Sequence, residues 1–266
     1  MAHVTSEKGI VGLGALGRAL ERFIPGHTSP AAVFFAVKAF DLETALIEHL
    51  GSWQKDLPFV IMSNGYVWPV IKKLRNRLGE RPIRIGMTTM GSTIQSDGSL
   101  SVFHENSMTA WGHWPTDSGP LVQPNSNELK LIQCFPGGAW FDDIRPMIRQ
   151  KWILNVVINS VAAAHRLPRN ELLKNHRPEI SEVLEEAVEL ANQLWPELGW
   201  REVEKKSIQE RLWQVIDATS RNLNSMVRDV ILGRPTESDY LAGLAKDYSG
   251  LTRLKSLHQT ITSQPS

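Results

Sequence analysis

The sequence holds a single cysteine, Cys134, among its 266 residues. An intramolecular disulfide and a cysteine-rich metal site are therefore excluded, and Cys134 is expected to be a small buried hydrophobe. Excess charge is also missing: 29 basic residues face 28 acidic ones, for a net charge of +1. Nothing in that balance attracts nucleic acid or an anionic membrane, and neither is expected as a partner. No apolar stretch approaches the ~18 residues of a membrane span, and Met1 to Lys8 lacks the apolar run of a signal peptide. The expectation is a cytoplasmic protein without membrane attachment. No internal repeat or low-complexity tract is present. The histidines, His104 and His113 included, are scattered without ligand spacing, so no metal site is expected.

What is present divides into two halves. The first alternates strand and helix signals. Gly9–Gly12 reads as a strand and Ala15–Phe23 as a helix. Ala31–Val37 is a continuous apolar run, as in a strand buried on both faces of a parallel sheet. Asp41–Leu50 has helical spacing, Pro58–Met62 reads as a strand, Val67–Leu78 as a helix and Ile83–Thr89 as another strand. Leu100–Phe103 and Met108–Trp111 are spaced like an antiparallel pair. Beyond Phe141 the strand signals stop. Helical periodicity covers Ile144–Ala164, Pro178–Leu194 and Glu202–Leu232, and Thr236 is placed to cap a last helix from about Glu237. The sequence therefore predicts an α/β domain over residues 1–140 and an all-α domain over 141–266, with Gly137-Gly138 closing the sheet region.

Two apolar helical runs carry polar groups where a core would be expected. Lys151, Asn155 and Asn159 fall four residues apart on one face of the first. Ser225 and Asp229 repeat that spacing in the second, with Asn222 a turn earlier, and Glu237 follows. One such residue is readily explained as a tolerated edge group. Three on one face of a helix otherwise as apolar as Trp152, Ile153 and Val156 point to a site, because buried amides need partners.

Gly12-Leu-Gly14-Ala-Leu16-Gly17 supplies the other half of a chemistry. In a strand–turn–helix context the first glycine permits the turn, the second lets a pyrophosphate approach and the third packs helix on strand. A ribose-reading residue normally follows ~20 positions later. Here only Ile24 to Pro30 separates the end of the first helix from the next strand, so the strand–helix–strand segment that would hold the adenosine ribose is absent.

These residues together resemble the ketopantoate reductase family. The likeness runs through Gly12–Gly17, Val37-Lys38-Ala-Phe40, Ser63-Asn64-Gly65, Gly86–Thr89, Lys151-x3-Asn155-x3-Asn159, Asn224-Ser-Met226-x-x-Asp229 and Gly233–Asp239. It implies a Rossmann-like domain, truncated by loss of its second and third strands, followed by a helical substrate and dimerisation domain. It also implies NADPH-dependent reduction of 2-dehydropantoate, or a similar small 2-keto acid, to pantoate in pantothenate and coenzyme A biosynthesis. Carried over by position, Lys151 would be the general acid and Glu237 its carboxylate partner on the substrate. Asn155, Asn159, Asn222 and Ser225 would bind substrate. Gly12, Gly14, Leu16, Gly17, Lys38 and Asn64 would bind cofactor, with affinity weakened by the shortening, and a homodimer is the assembly compatible with the family. The chain departs from the pattern after Asn159, where Ser160-Val-Ala162 replaces the usual Pro-Leu-Thr. It has no identifiable arginine for a 2′-phosphate. The residues leave a second reading open: a non-catalytic descendant that binds a small carboxylate or a protein partner and no dinucleotide.

Overall fold

The computed structural model describes residues 6–26, 29–95, 97–114, 121–198, 202–221 and 223–263. The chain divides into two compact units, Met1–Ile148 and Arg149–Ser266.

The first unit is built on a six-stranded sheet. β1 (Ile10–Val11) leads through α1 (Ala15–Glu21) to β2 (Val33–Phe35). A 3-10 turn and α2 (Leu42–His49) lead to β3 (Phe59–Ile61), and α3 (Trp68–Leu78) to β4 (Ile83–Thr88). Every residue of β1 to β4 is buried, which is why β1 to β3 are apolar without alternation and why the polar residues of β4, Arg84 and Thr88, carry partners. These four strands are parallel and lie in chain order. A two-stranded ribbon follows, β5 (Gly91–Ile94) with β6 (Leu100–Phe103). β7 (Thr109–Gly112) then returns antiparallel to β4, and after α4 (Ser126–Ile132) the strand β8 (Ala139–Phe141) closes the sheet parallel to β7.

The expected pairing of Leu100–Phe103 with Met108–Trp111 does not form. β6 pairs with β5 and β7 with β4, since alternation identifies a strand but not its neighbour. Gly137-Gly138 does not close the sheet either. The pair lets the chain pass close to Ile132 and Ser107, and β8 comes after it. Cys134 is exposed, not buried: it lies just beyond α4, and its thiol is directed at the Lys130 carbonyl oxygen.

Sheet order sets β1 apart from its usual place. In the usual 3-2-1-4 order β1 is central, with strands 2 and 3 on one side and the rest on the other. Here β1 is the end of the strand order, and among the described residues no strand pairs with its outer edge. The register Ile10↔Phe34 and Phe34↔Val60 puts these three side chains on one face, and they cluster there with Ala19 and Leu20 of α1. Phe35, on the opposite face, meets the His49 ring of α2, and α2 in turn pairs with α3 through Lys73 and Glu43. Both connections step the same way along the sheet, yet their helices lie on opposite faces. The β1–α1–β2 unit therefore has the opposite hand to the unit that follows it. One of the two is the left-handed form, which occurs in only about 2% of such crossovers.

Buried charge ties α4 to the sheet. Arg84 of β4 pairs with Glu128 at 3.1 Å, and the Trp111 indole donates to the same carboxylate. Both ionic partners are almost wholly buried, so each is required to satisfy the other.

The second unit is helical. α5 (Arg145–Ala164) starts in the first unit and runs through the second. α6 (Arg177–Leu194), α7 (Glu202–Ala218), α8 (Ser225–Ile231) and α9 (Thr252–Ser263) follow, with 3-10 turns between them. The continuous helix expected over Glu202–Leu232 is two helices. The break follows from Asn224, whose side-chain oxygen accepts hydrogen bonds from the Met226 and Val227 amides and so starts α8 anew. No full helix begins at Glu237; a single 3-10 turn, Ser238–Tyr240, stands there. Among the described residues no helix is long and apolar enough to cross a membrane.

Candidate functional site

α5 presents its polar face as the spacing requires. Trp152, Ile153, Val156 and Val157 are buried, while Lys151, Asn155 and Asn159 are each half-buried. A half-buried ammonium is costly, and burial lowers the Lys151 pKa from its usual 10.5 to about 8, opposed by the Glu237 carboxylate, which raises it. Glu237 is buried at the head of the 3-10 turn. The connection that brings it to α5 is not visible in the sequence. The Trp152 indole donates to the Tyr240 carbonyl oxygen at 3.1 Å, and the Tyr240 amide donates to the Glu237 carbonyl oxygen at 3.0 Å. Ser238 is held from behind by His258 at 2.8 Å.

Asn224, quoted in the family motif but given no role there, is a further part of the site. Buried at the start of α8, it uses its oxygen as the helix cap and donates through its amide nitrogen to Asn159 Oδ1 at 3.0 Å. Asn159 is thus fixed with its oxygen engaged by the neighbouring helix. The recoverable signal was an asparagine immediately before a short apolar run. Ser225, the first residue of α8, is exposed, and Asp229 is half-buried one turn on. Asn222 lies outside the described residues. In this unit the structure brings together Lys151, Glu237, Asn155 and Asn159, with Ser225 beginning the helix that Asn224 anchors.

The first unit places its expected residues along the carboxyl ends of adjacent parallel strands, where ligands bind in open α/β sheets. Gly12 follows β1, Lys38 follows β2 and Asn64 follows β3. The loops are joined by Ser63, whose hydroxyl donates to the Val37 carbonyl oxygen at 2.8 Å. Gly12 has φ +90°, and a Cβ there would stand 2.7 Å from Val37 and 2.9 Å from the Ala36 carbonyl oxygen. A Cβ on Gly17 would collide with the Gly12 carbonyl oxygen. Nothing lies within 4 Å of a Cβ on Gly14, which precedes α1. The three glycines thus show the division of labour the motif requires: turn, open approach and close packing. Leu16 is half-buried in the first turn of α1 and packs on the sheet core.

Residues 143–246 match the family described as ketopantoate reductase PanE/ApbA C terminal. A 2-dehydropantoate 2-reductase of Shigella flexneri is 27% identical over 211 residues, covering 78% of this chain. The chain is similar to the ketopantoate reductases, most directly over its helical unit. It spans only 63% of the length of that Shigella relative. Among solved structures, a probable 2-dehydropantoate 2-reductase of Bacillus subtilis superposes with TM-score 0.65 at 22% identity, covering 90% of this chain and 79% of that one. D-mandelate dehydrogenase in complex with NADH gives TM-score 0.73 at 17% identity, covering 96% and 97%. At these identities the superpositions establish the fold.

Proposed function

We propose that this ketopantoate reductase homologue is an NADPH-dependent reductase of 2-dehydropantoate or a closely similar 2-keto acid. The observation that carries the proposal is Lys151, a half-buried ammonium with its pKa lowered to about 8 beside Glu237, on the helix face that also bears Asn155 and Asn159. A general acid is most effective when its pKa lies near the working pH, and burial has moved this lysine there.

Lys151 donates its proton to the keto oxygen as negative charge develops on it. Glu237 keeps the ammonium charged and hydrogen-bonds the substrate. Asn155, Asn159 and Ser225 orient the carboxylate and hydroxyl of the substrate, and Asn222 is assigned to the same group by its place in the motif. The dinucleotide, when bound, supplies hydride. Gly12, Gly14, Leu16 and Gly17 hold its pyrophosphate, with Lys38 and Asn64 on the nicotinamide side. With no strand outside β1 among the described residues to read the ribose, we propose that NADPH binds weakly and is poorly distinguished from NADH. The boundary between a cofactor domain and a substrate domain falls near residue 140.

One observation favours a second reading. The opposite-handed β1–α1–β2 unit and the outer edge of β1, unpaired among the described residues, suit a descendant that has given up the dinucleotide. Titrating the full chain with NADPH, followed by nicotinamide fluorescence, separates the two. Saturation supports the reductase. No binding at any accessible concentration, with 2-dehydropantoate or pantoate still bound, gives the case to the non-catalytic protein.

A further inference from the structure

Sequence spacing gives the histidines no ligand pattern, but folding brings two of them together in the second unit. His165 directly follows α5. His176 precedes α6, and Glu179 lies in the first turn of that helix. His165 Nε2 is 2.8 Å and His176 Nδ1 3.3 Å from the same oxygen, Glu179 Oε2. The two imidazole rings stand with centroids 4.3 Å apart at 39°, and all three donor atoms lie within 4.8 Å of one another. None of these residues belongs to the Lys151 face or to the glycine loop.

We propose that His165, His176 and Glu179 form a site for a divalent transition-metal ion of the zinc type. The donor set is two imidazoles and a carboxylate, the set that suits ions of borderline softness and leaves calcium and magnesium, which take oxygen, disfavoured. The geometry is close to what the ion needs. Zinc holds nitrogen and oxygen at about 2.0–2.2 Å in a tetrahedron, so its ligand atoms stand about 3.3–3.5 Å apart. The His176–Glu179 separation of 3.3 Å matches that spacing, while the His165–Glu179 separation of 2.8 Å is about half an ångström short of it, so the His165 ring must withdraw to admit the ion. His165 is 39% exposed along its side chain, so a water can complete the fourth position. The neighbouring Arg177, which would oppose a cation, has its guanidinium over the Trp213 ring, 4.3 Å from the centroid. A bound ion would replace two shared protons and clip the end of α5 to the start of α6, across the ten residues between His165 and His176.

The test is calorimetric titration of the full, metal-stripped chain with Zn²⁺ alone, at pH 7.5 and again at pH 5.5. One ion per chain is expected, weaker at the lower pH because protons compete with the ion for its nitrogen ligands. Glu179→Gln keeps the shape of the side chain, and the double change His165→Ala, His176→Ala removes both nitrogens. Each should weaken binding by on the order of 100-fold, since even a residue behind the ligands is worth 10–100-fold. Titration with Co²⁺ should give the intense visible bands of four-coordinate cobalt in the wild type and not in Glu179→Gln. Absence of a stoichiometric site, or a site that survives both variants with the fold intact by circular dichroism, overturns the proposal. If the double variant does not fold, the Glu179→Gln titration and its cobalt spectrum decide alone.

Discussion

At the scale of single residues the account turns on Lys151 and Asn224. The lysine must be protonated to act as an acid, and its pKa stands near 8, so kcat/KM for keto acid reduction should fall as pH rises through about 8. Stability should move the other way. The folded pKa lies below the unfolded value, so between about 8 and 10.5 the unfolded chain holds more protons, and the penalty of burying the charge is relieved as pH rises across that window. Glu237 raises the lysine pKa, so Glu237→Gln should shift the alkaline limb of the pH–rate profile to lower pH. A limb that stays in place would remove Glu237 from that role. Asn224 combines a helix cap with a hydrogen bond to Asn159. Asn224→Ala should therefore destabilise the chain by about 0.5–2 kcal/mol in urea unfolding, the range for a lost cap. Asn224→Asp, which retains the cap and loses the donor, should keep stability and raise KM. Equal loss of stability in both variants would show that the hydrogen bond to Asn159, not the cap, holds α8.

At the scale of elements the weak point is β1 with α1. Two residues long, at the end of the sheet and joined to β2 by a crossover of opposite hand to the next, β1 has few means of resisting opening. The amides of Phe34 and Ala36, which donate to the Gly9 and Val11 carbonyl oxygens, should exchange with solvent faster than that of Met62, which donates to Phe35 in the next ladder. Protection equal across both ladders would contradict this. The same elements show what was legible beforehand. β2 could be read because Val33-Phe-Phe35 is apolar on both faces, as a strand between parallel neighbours must be. The order of strands could not: β6 and β7 look like partners in sequence, and only the third dimension gives them to β5 and β4. β5, Gly91-Ser-Thr-Ile94, carries too little apolar signal to be seen. Helical periodicity runs through Thr219–Asn224 without a pause, so the break there was hidden until the Asn224 cap was visible. The polar face of α5 was legible because four-residue spacing on a helix is local. Trp152 to Tyr240, 88 residues away, was not, and neither was the meeting of His165 with His176.

At the scale of the whole molecule the two units have fared differently. The helical unit carries the family match and retains its polar face with the partners that fix it. The sheet unit keeps the three-glycine turn and the strand ends beside it, but β1 has become an edge. A chain that reduces a keto acid with such a unit should do so with normal dependence on Lys151 and an elevated requirement for cofactor. The most direct test is NADPH oxidation by the purified full chain with 2-dehydropantoate, following pantoate formation, alongside Lys151→Ala. The account predicts turnover that saturates only at high NADPH and falls by roughly 10²–10⁴-fold in Lys151→Ala, with the variant folded like the wild type. Turnover unchanged in a folded Lys151→Ala protein, or no pantoate from the wild type at saturating NADPH, would contradict it.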